Sequence, residues 1–348
     1  MSLEPFLVRL PKVELHVHLE GSMRPALLFE LARRHGIALP VSDEAGLHDW
    51  FRFRDFEHFV QVYLTCSAAL REPEDFRTLA LDVMEGQAAQ NVLYTEAHFT
   101  ISTHLANGGN GGEILAALAE AVQEGEARYG VRLRLIPDIV RNVPLERAEW
   151  TLDWALAGRD RGLVVALGLS GIEARFPNEP FRELFSEAER EGLHRVAHAG
   201  EHAGPESIRS VLEVARAERI GHGVRAIDDP GLVRELVAAR IPLEVCPSSN
   251  LCLGVVPDLA SHPFDRLYRA GVTLSVNSDD PPFFGTTLTA EYLRLHETFG
   301  YTAGELAGLA LSAVSQAFLE AGERAKLEER FRREIEALER ELALNPAL

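Results

Sequence analysis

Val13-Glu14-Leu15-His16-Val17-His18-Leu19-Glu20-Gly21 sets two imidazoles two residues apart inside an apolar, β-branched run. Side chains alternate along an extended strand, so His16 and His18 are expected on one side of it. Two neutral imidazoles side by side on a buried face need hydrogen-bond partners or a metal ion. Three downstream segments also close on ionisable residues: Val196-Ala197-His198-Ala199-Gly200-Glu201, Arg219-Ile220-Gly221-His222-Gly223 and Leu274-Ser275-Val276-Asn277-Ser278-Asp279-Asp280. Strand ends with a purely structural role are built from turn formers such as Gly, Asn and Pro. Four that end in His, Glu or Asp point to one shared site.

Working outward, short apolar runs recur with helical patterns between them. After Val13 to Leu19 come Val92 to Ala97, Val131 to Ile136, Leu163 to Leu169, Leu193 to Ala197, Arg219 to Gly221, Ile241 to Val245 and Val272 to Val276. Eight strands alternating with helices predict an α/β fold, a parallel (β/α)8 barrel of TIM type, with residues 1–348 forming one domain. Helices are expected over Ser22 to Leu39, over an insertion at about 44–89 after the first strand, and from Glu113 to Tyr129. The insertion carries Trp50, Phe51, Phe53, Phe56, Phe59 and Tyr63, suited to core or to an apolar lid. Thr302 to Leu344 reads as a solvated packing helix, with Glu329/Arg333 and Glu336/Arg340 spaced for surface ion pairs. Barrels of this kind place their chemistry at the C-terminal ends of the strands. His16, His18, His198, His222 and Asp279 fall there, on strands one, five, six and eight.

With 35 basic against 53 acidic residues the net charge is −18, which repels phosphate backbones and anionic membrane surfaces. Neither nucleic acid nor a membrane is an expected partner. Three cysteines, Cys66, Cys246 and Cys252, are too few for a disulfide framework. No signal-peptide pattern opens the sequence, and no apolar run approaches the ~20 residues that span a bilayer. A soluble, cytoplasmic protein is expected.

Three imidazoles and a carboxylate suit a borderline cation, Zn²⁺ first, with one ion per chain expected. Such an ion lowers the pKa of a bound water from ~15.7 toward ~7 and makes it a nucleophile. Glu201, three residues past His198, is the candidate general acid or base, and His222 a second proton-handling or charge-stabilising group. Asp279 and Asp280 are adjacent and point in different directions, so they can take different jobs.

Pro11-Lys12-Val13-Glu14-Leu15-His16-Val17-His18-Leu19-Glu20-Gly21, His198-Ala199-Gly200-Glu201, Gly221-His222-Gly223, Cys246-Pro247 and Asn277-Ser278-Asp279-Asp280-Pro281 resemble the adenosine deaminase family of the amidohydrolase superfamily, in the same order and spacing from about Leu10 to Phe318. The resemblance implies a zinc-dependent barrel that replaces the 6-amino group of an adenine ring with oxygen and releases ammonia. It implies His16, His18, His198 and Asp279 as metal ligands, with Asp279 and His18 also facing the reacting substrate. Glu201 is implied as the group that protonates purine N1, and His222 as the residue that orients the hydroxide. Asp280 then binds N7, the Gly171 amide faces N3, and Glu20 meets the sugar of a purine nucleoside. Glu20 stands where many adenosine deaminases have Asp, and Glu96-Ala97-His98 replaces the more usual Glu-x-Arg. Asn277 to Thr286 and Arg54-Asp55-Phe56 also resemble aminodeoxyfutalosine deaminases, and Ala89-Gln90-Asn91-Val92 resembles adenine deaminases. Adenosine is the first substrate implied, aminodeoxyfutalosine the second and adenine the third. The other zinc deaminase class uses Pro-Cys-x-x-Cys, which Cys246-Pro247 reverses. Cys246 therefore reads as a buried strand residue. A non-catalytic purine- or metal-binding barrel would be expected to lack Glu201 or a ligand, and all are present.

Overall fold

The computed structural model describes residues 3–53 and 56–344. Its strands are β1 (Lys12–His18), β2 (Val92–Phe99), β3 (Arg132–Val140), β4 (Ala166–Ser170), β5 (His194–Ala199), β6 (Arg219–His222), β7 (Leu243–Val245) and β8 (Leu274–Val276). They pair in parallel in sequence order, giving the eight-stranded barrel that the alternation predicts. The ring closes between β8 and β1 just beyond β8. His18 N–H donates to the Asp279 carbonyl at 2.8 Å, Asp279 N–H to the His16 carbonyl at 3.1 Å, and Asn277 Oδ1 accepts from the Leu15 and His16 amides at 2.8 and 3.1 Å.

The boundaries differ where turn-forming residues mask the strand. β3 runs past Ile136 to Val140, so Pro137 and Asp138 lie inside it, and β4, β7 and β8 begin two or three residues later than their apolar runs. The first predicted helix is shorter, Pro25–His35. Arg24 is extended because it precedes a proline, and Gly36 stops the helix with φ +65°.

The insertion is three helices, Glu44–Phe51, Phe56–Ala69 and Pro73–Ala88. Arg54, Asp55 and the Phe56 side chain lie outside the described residues. Phe51 is buried, while Phe59 and Tyr63 are half-buried against the turn that follows Asp280. Phe59 stacks on Phe284 at 5.7 Å, and Phe51 and Tyr63 meet Phe283 at 5.0 and 6.4 Å. The aromatics are thus both core and cover: they pack on the segment that carries Asp280.

The predicted C-terminal helix is two, Ala303–Gln316 and Ala321–Leu344. The first packs on β1 and β8 with Leu306, Ala310 and Val314 buried, so only the second fits the expectation of a solvated helix. They separate because Phe318 is held elsewhere: its amide donates to Glu96 Oε1 at 2.6 Å and its ring lies 3.7 Å from the Arg219 guanidinium. On the outer face of the second helix Glu336 and Arg340 pair at 3.7 Å. Among the described residues no helix is long and apolar enough to cross a membrane.

Candidate active site

β1, β5 and the residue three past β8 bring four predicted ligands together. His18 Nε2 lies 3.3 Å from His198 Nε2 and 3.3 Å from Asp279 Oδ1, and His16 Nε2 lies 3.6 Å from the same oxygen. All four side chains are buried, with one donor atom from each within 4.8 Å of the others. The second nitrogens fix the tautomers of two rings. His16 Nδ1 is 2.8 Å from the Glu244 carboxylate and His198 Nδ1 is 3.1 Å from the Leu169 carbonyl, acceptors both, so each Nδ1 carries hydrogen and each Nε2 is left to face the cluster. His16 Nε2 has no hydrogen-bond partner among the described residues. Gly221 makes room for this ring, since a Cβ there would lie 2.7 Å from His16 Cε1.

The electrostatics of the cluster favour a cation. Burial pushes the His16 imidazole down, but the Asp279 and Glu244 carboxylates outweigh it and raise the ring to about 10. Burial opposes the charge on both acids, yet Arg219 and His16 bring Glu244 down to about 2, and His16 and His222 hold Asp279 well below the usual carboxylate range. Burial, then His98, lowers His18 to about 4, and burial with the neighbouring imidazoles holds His198 far below its ordinary value. One proton on His16 balances the carboxylates where a divalent ion's charge would serve better. The orphaned nitrogen and the three-imidazole, one-carboxylate donor set fit such an ion.

Beside this cluster, His222 Nε2 is 3.8 Å from Glu201 Oε1 and 3.9 Å from Asp279 Oδ2. Both His222 (φ +59°) and Asp279 (φ +63°) adopt the left-handed conformation, a strain of order 1–3 kcal/mol each that surrounding structure must hold. Burial would raise the Glu201 carboxyl, but His222 and a 3.0 Å contact with His202 Nδ1 take it below its ordinary value. Its loop is anchored by Glu173, whose carboxylate accepts from the Gly200, Glu201 and His202 amides at 2.8, 3.1 and 3.3 Å. Glu173 follows Gly171 by two residues, so the Gly171 turn (φ +89°) and the Glu201 turn are one unit.

Asp280 is buried, and burial followed by its neighbour Asp279 pushes its carboxyl well above the usual range. Burial and the Asp279 charge thus favour its protonated, hydrogen-bond-donating form. It packs on Gly21, where a Cβ would fall 1.6 Å from Asp280 Oδ1. Glu20 Oε1 accepts from the Thr100 amide at 2.9 Å and pairs with His104 Nε2 at 3.0 Å, while its Oε2 is buried without a partner among the described residues.

Of the predicted site residues, His16, His18, His198 and Asp279 form one cluster with His222 and Glu201 beside it and Asp280 next in sequence, while Glu20 meets Thr100 and His104 and Gly171 turns the chain after β4. Cys246 lies one residue past β7 rather than within it, near His222 and Asp279, and burial pushes its thiol well up. Sequence reasoning missed Glu244, Glu173, Arg219, which pairs with Glu244 at 2.5 Å, Asp138, whose carboxylate lies 2.9 Å from His98 Nδ1 and 3.8 Å from His18 Nδ1, and Asn250, 3.2 Å from His222 Nδ1, with His262 behind it. A lone charge inside an apolar strand, as at Glu244 between Leu243 and Val245, was the available signal.

Residues 11–334 match the family model described as adenosine deaminase. The chain belongs to the adenosine deaminase family. It is 41% identical over 328 residues to an aminodeoxyfutalosine deaminase of Streptomyces avermitilis, covering 94% of this chain and 91% of that one. It is 39% identical over 318 residues to an adenine deaminase of Cupriavidus necator, covering 91% and 90%. The structure superimposes on an amidohydrolase from Burkholderia ambifaria, solved with bound zinc, with a TM-score of 0.89 at 25% identity over 98% and 95% of the two chains.

Proposed function

We propose that this deaminase-family enzyme hydrolyses the 6-amino group of an adenine ring to the 6-oxo product with release of ammonia. What supports the reading is the buried His16, His18, His198 and Asp279 cluster, with Glu201, its carboxyl held below the ordinary value, beside His222, and Asp280, its carboxyl pushed well above, next to Asp279. Those four side chains would hold one Zn²⁺ per chain, which when bound brings the pKa of a water from ~15.7 toward ~7. Asp280 donates its proton to N7 and the Gly171 amide faces N3, which set the ring in one orientation. Glu201 takes a proton from the attacking water and delivers it to N1, making C6 electrophilic as the oxygen arrives. His222 faces that oxygen, and His18 and Asp279 line the same wall.

For the substituent at N9 we infer a sugar, in adenosine or a 5′-extended adenosine such as aminodeoxyfutalosine. The buried Glu20 Oε2, without a partner among the described residues, supports this, because a sugar hydroxyl can supply it with a donor. The second reading, free adenine, has the Cupriavidus relative in its favour and an N9–H as the donor. Comparison of kcat/KM for adenosine, 2′-deoxyadenosine, aminodeoxyfutalosine, 5′-methylthioadenosine and adenine separates them. A nucleoside should exceed adenine by at least ~10²-fold, since a site built around a hydroxyl rejects a ligand lacking it. Adenine as the best substrate would refute the sugar reading.

A further inference from the structure

The contacts behind the His222 ring run in one direction. They begin at a backbone amide, which can only donate: Phe264 N–H to His262 Nδ1 at 3.1 Å. His262 therefore accepts at Nδ1 and carries its hydrogen on Nε2. Burial also holds this imidazole down at about 4, in its neutral form. Its Nε2–H then donates to Asn250 Oδ1 at 3.1 Å. With Oδ1 engaged, the Asn250 amide nitrogen faces His222 Nδ1 at 3.2 Å. An amide nitrogen only donates, so His222 Nδ1 accepts. A hydrogen on that nitrogen would set two donors against each other. The ring's hydrogen must sit on Nε2, the nitrogen that faces Glu201 and Asp279. Asn250, His262 and His222 are all buried, so water does not offer an alternative partner.

We propose that Asn250 and His262 are positioning residues: the line of hydrogen bonds that starts at the Phe264 amide locks His222 as the Nε2–H tautomer, a fixed donor to the attacking oxygen that takes no proton from it. The proton balance follows. As the C6–O bond forms and the C6–N bond breaks, one proton of the water passes to Glu201 and on to ring N1, the other leaves with the amino group as ammonia, and His222 keeps its own throughout. A third group that sets a histidine's tautomer is a general device of active sites, here supplied by the segment after β7 for a residue at the end of β6.

The inference rests on the deaminase reading for its kinetic arm alone, because the tautomer is read without substrate. The experiment is ¹⁵N NMR of histidine-labelled protein, metal-free and metal-loaded, with the His222 signals assigned by difference against His222→Gln. Nε2 should carry hydrogen and Nδ1 should be bare. Asn250→Asp offers His222 only acceptor oxygens, so it should move the hydrogen to Nδ1 and lower kcat by roughly 10²-fold, with KM and metal content near wild type. A wild-type ring protonated on Nδ1, or an Asn250→Asp enzyme with unchanged kcat, overturns the proposal. Should that variant not fold, His262 carries the test. His262→Gln keeps an N–H donor for Asn250 and should hold kcat within about threefold, whereas His262→Leu should lose about tenfold. Equal kcat in those two variants also overturns it. Protein that shows the Nε2–H signature but deaminates no adenine compound would sink the functional reading and leave the tautomer assignment standing.

Discussion

Two layers of buried charge meet at His16, and they are finished differently. In the lower layer Arg219 donates from Nε to Glu244 Oε1 at 2.5 Å, from one terminal nitrogen to the Gln316 carbonyl at 2.8 Å and from the other to Glu96 Oε2 at 2.5 Å. Glu96 Oε1 also accepts from the Tyr94 hydroxyl at 2.9 Å. In the upper layer His16 Nε2, His18 Nδ1, Glu20 Oε2 and Asp280 Oδ1 are buried without partners among the described residues. Buried polar atoms in folded proteins are nearly always satisfied, so a layer that leaves several open is one whose partners arrive from outside. The lower layer is structure; the upper one is a site.

That contrast breaks first if the upper layer needs no ion. Freshly purified, active protein should carry close to one zinc or similar ion per chain, and chelation should abolish turnover. Active protein with no transition metal by elemental analysis removes the premise.

Next is the lower layer itself. Arg219→Met leaves Glu96 and Glu244 buried without the cation they share, and should cost about 3–5 kcal/mol of stability, visible as a large fall in Tm. A variant that melts like wild type would make Arg219 dispensable and erase the distinction.

Glu201→Gln should do the opposite, lowering turnover by roughly 10²-fold or more while Tm and metal content hold. Loss of metal in this variant would make Glu201 a ligand instead of a proton carrier.

The smallest effect is a pH dependence. His16 is raised in the folded chain to about 10 from an ordinary value near 6.5, so in metal-free protein its stabilising contribution is complete below ~6.5 and lost as pH rises through about 10. A metal must expel that proton. The apparent metal Kd should therefore tighten about tenfold per pH unit between pH 6.5 and 8.5, and a flat profile would show that His16 does not hold the proton.

The upper layer was readable in the sequence because its residues sit at strand ends, where ionisable groups break a pattern of turn formers. His16, His18, His198, His222, Asp279 and Asp280 all announced themselves that way. The lower layer was not, because Glu96 and Glu244 each stand as one charge inside an apolar strand run and Arg219 reads as one of the surface charges of Arg216-Ala217-Glu218-Arg219, and only the closed barrel shows that the three are one network. Asp138 was hidden differently, behind Pro137, which reads as the end of β3 yet lies inside it. Asn250 lies in a six-residue helix, Pro247–Cys252, and His262 just past a single 3-10 turn, Leu259–Ser261, both too short for a periodicity to mark a position as inward-facing. The split near Phe318 follows a ring's contact with Arg219, a tertiary preference that no helical periodicity contains.

The closure of the barrel has a consequence for how the enzyme fails. Asp279 supplies both the backbone pairing that joins the last strand to the first and the carboxylate that faces His16 and His18. The seam and the clasp are one residue. Local opening is cheapest where few backbone hydrogen bonds must break, and here a brief parting of first and last strands would leave three imidazoles without their acid. Opening of that seam should therefore show as loss of activity before any loss of helical signal.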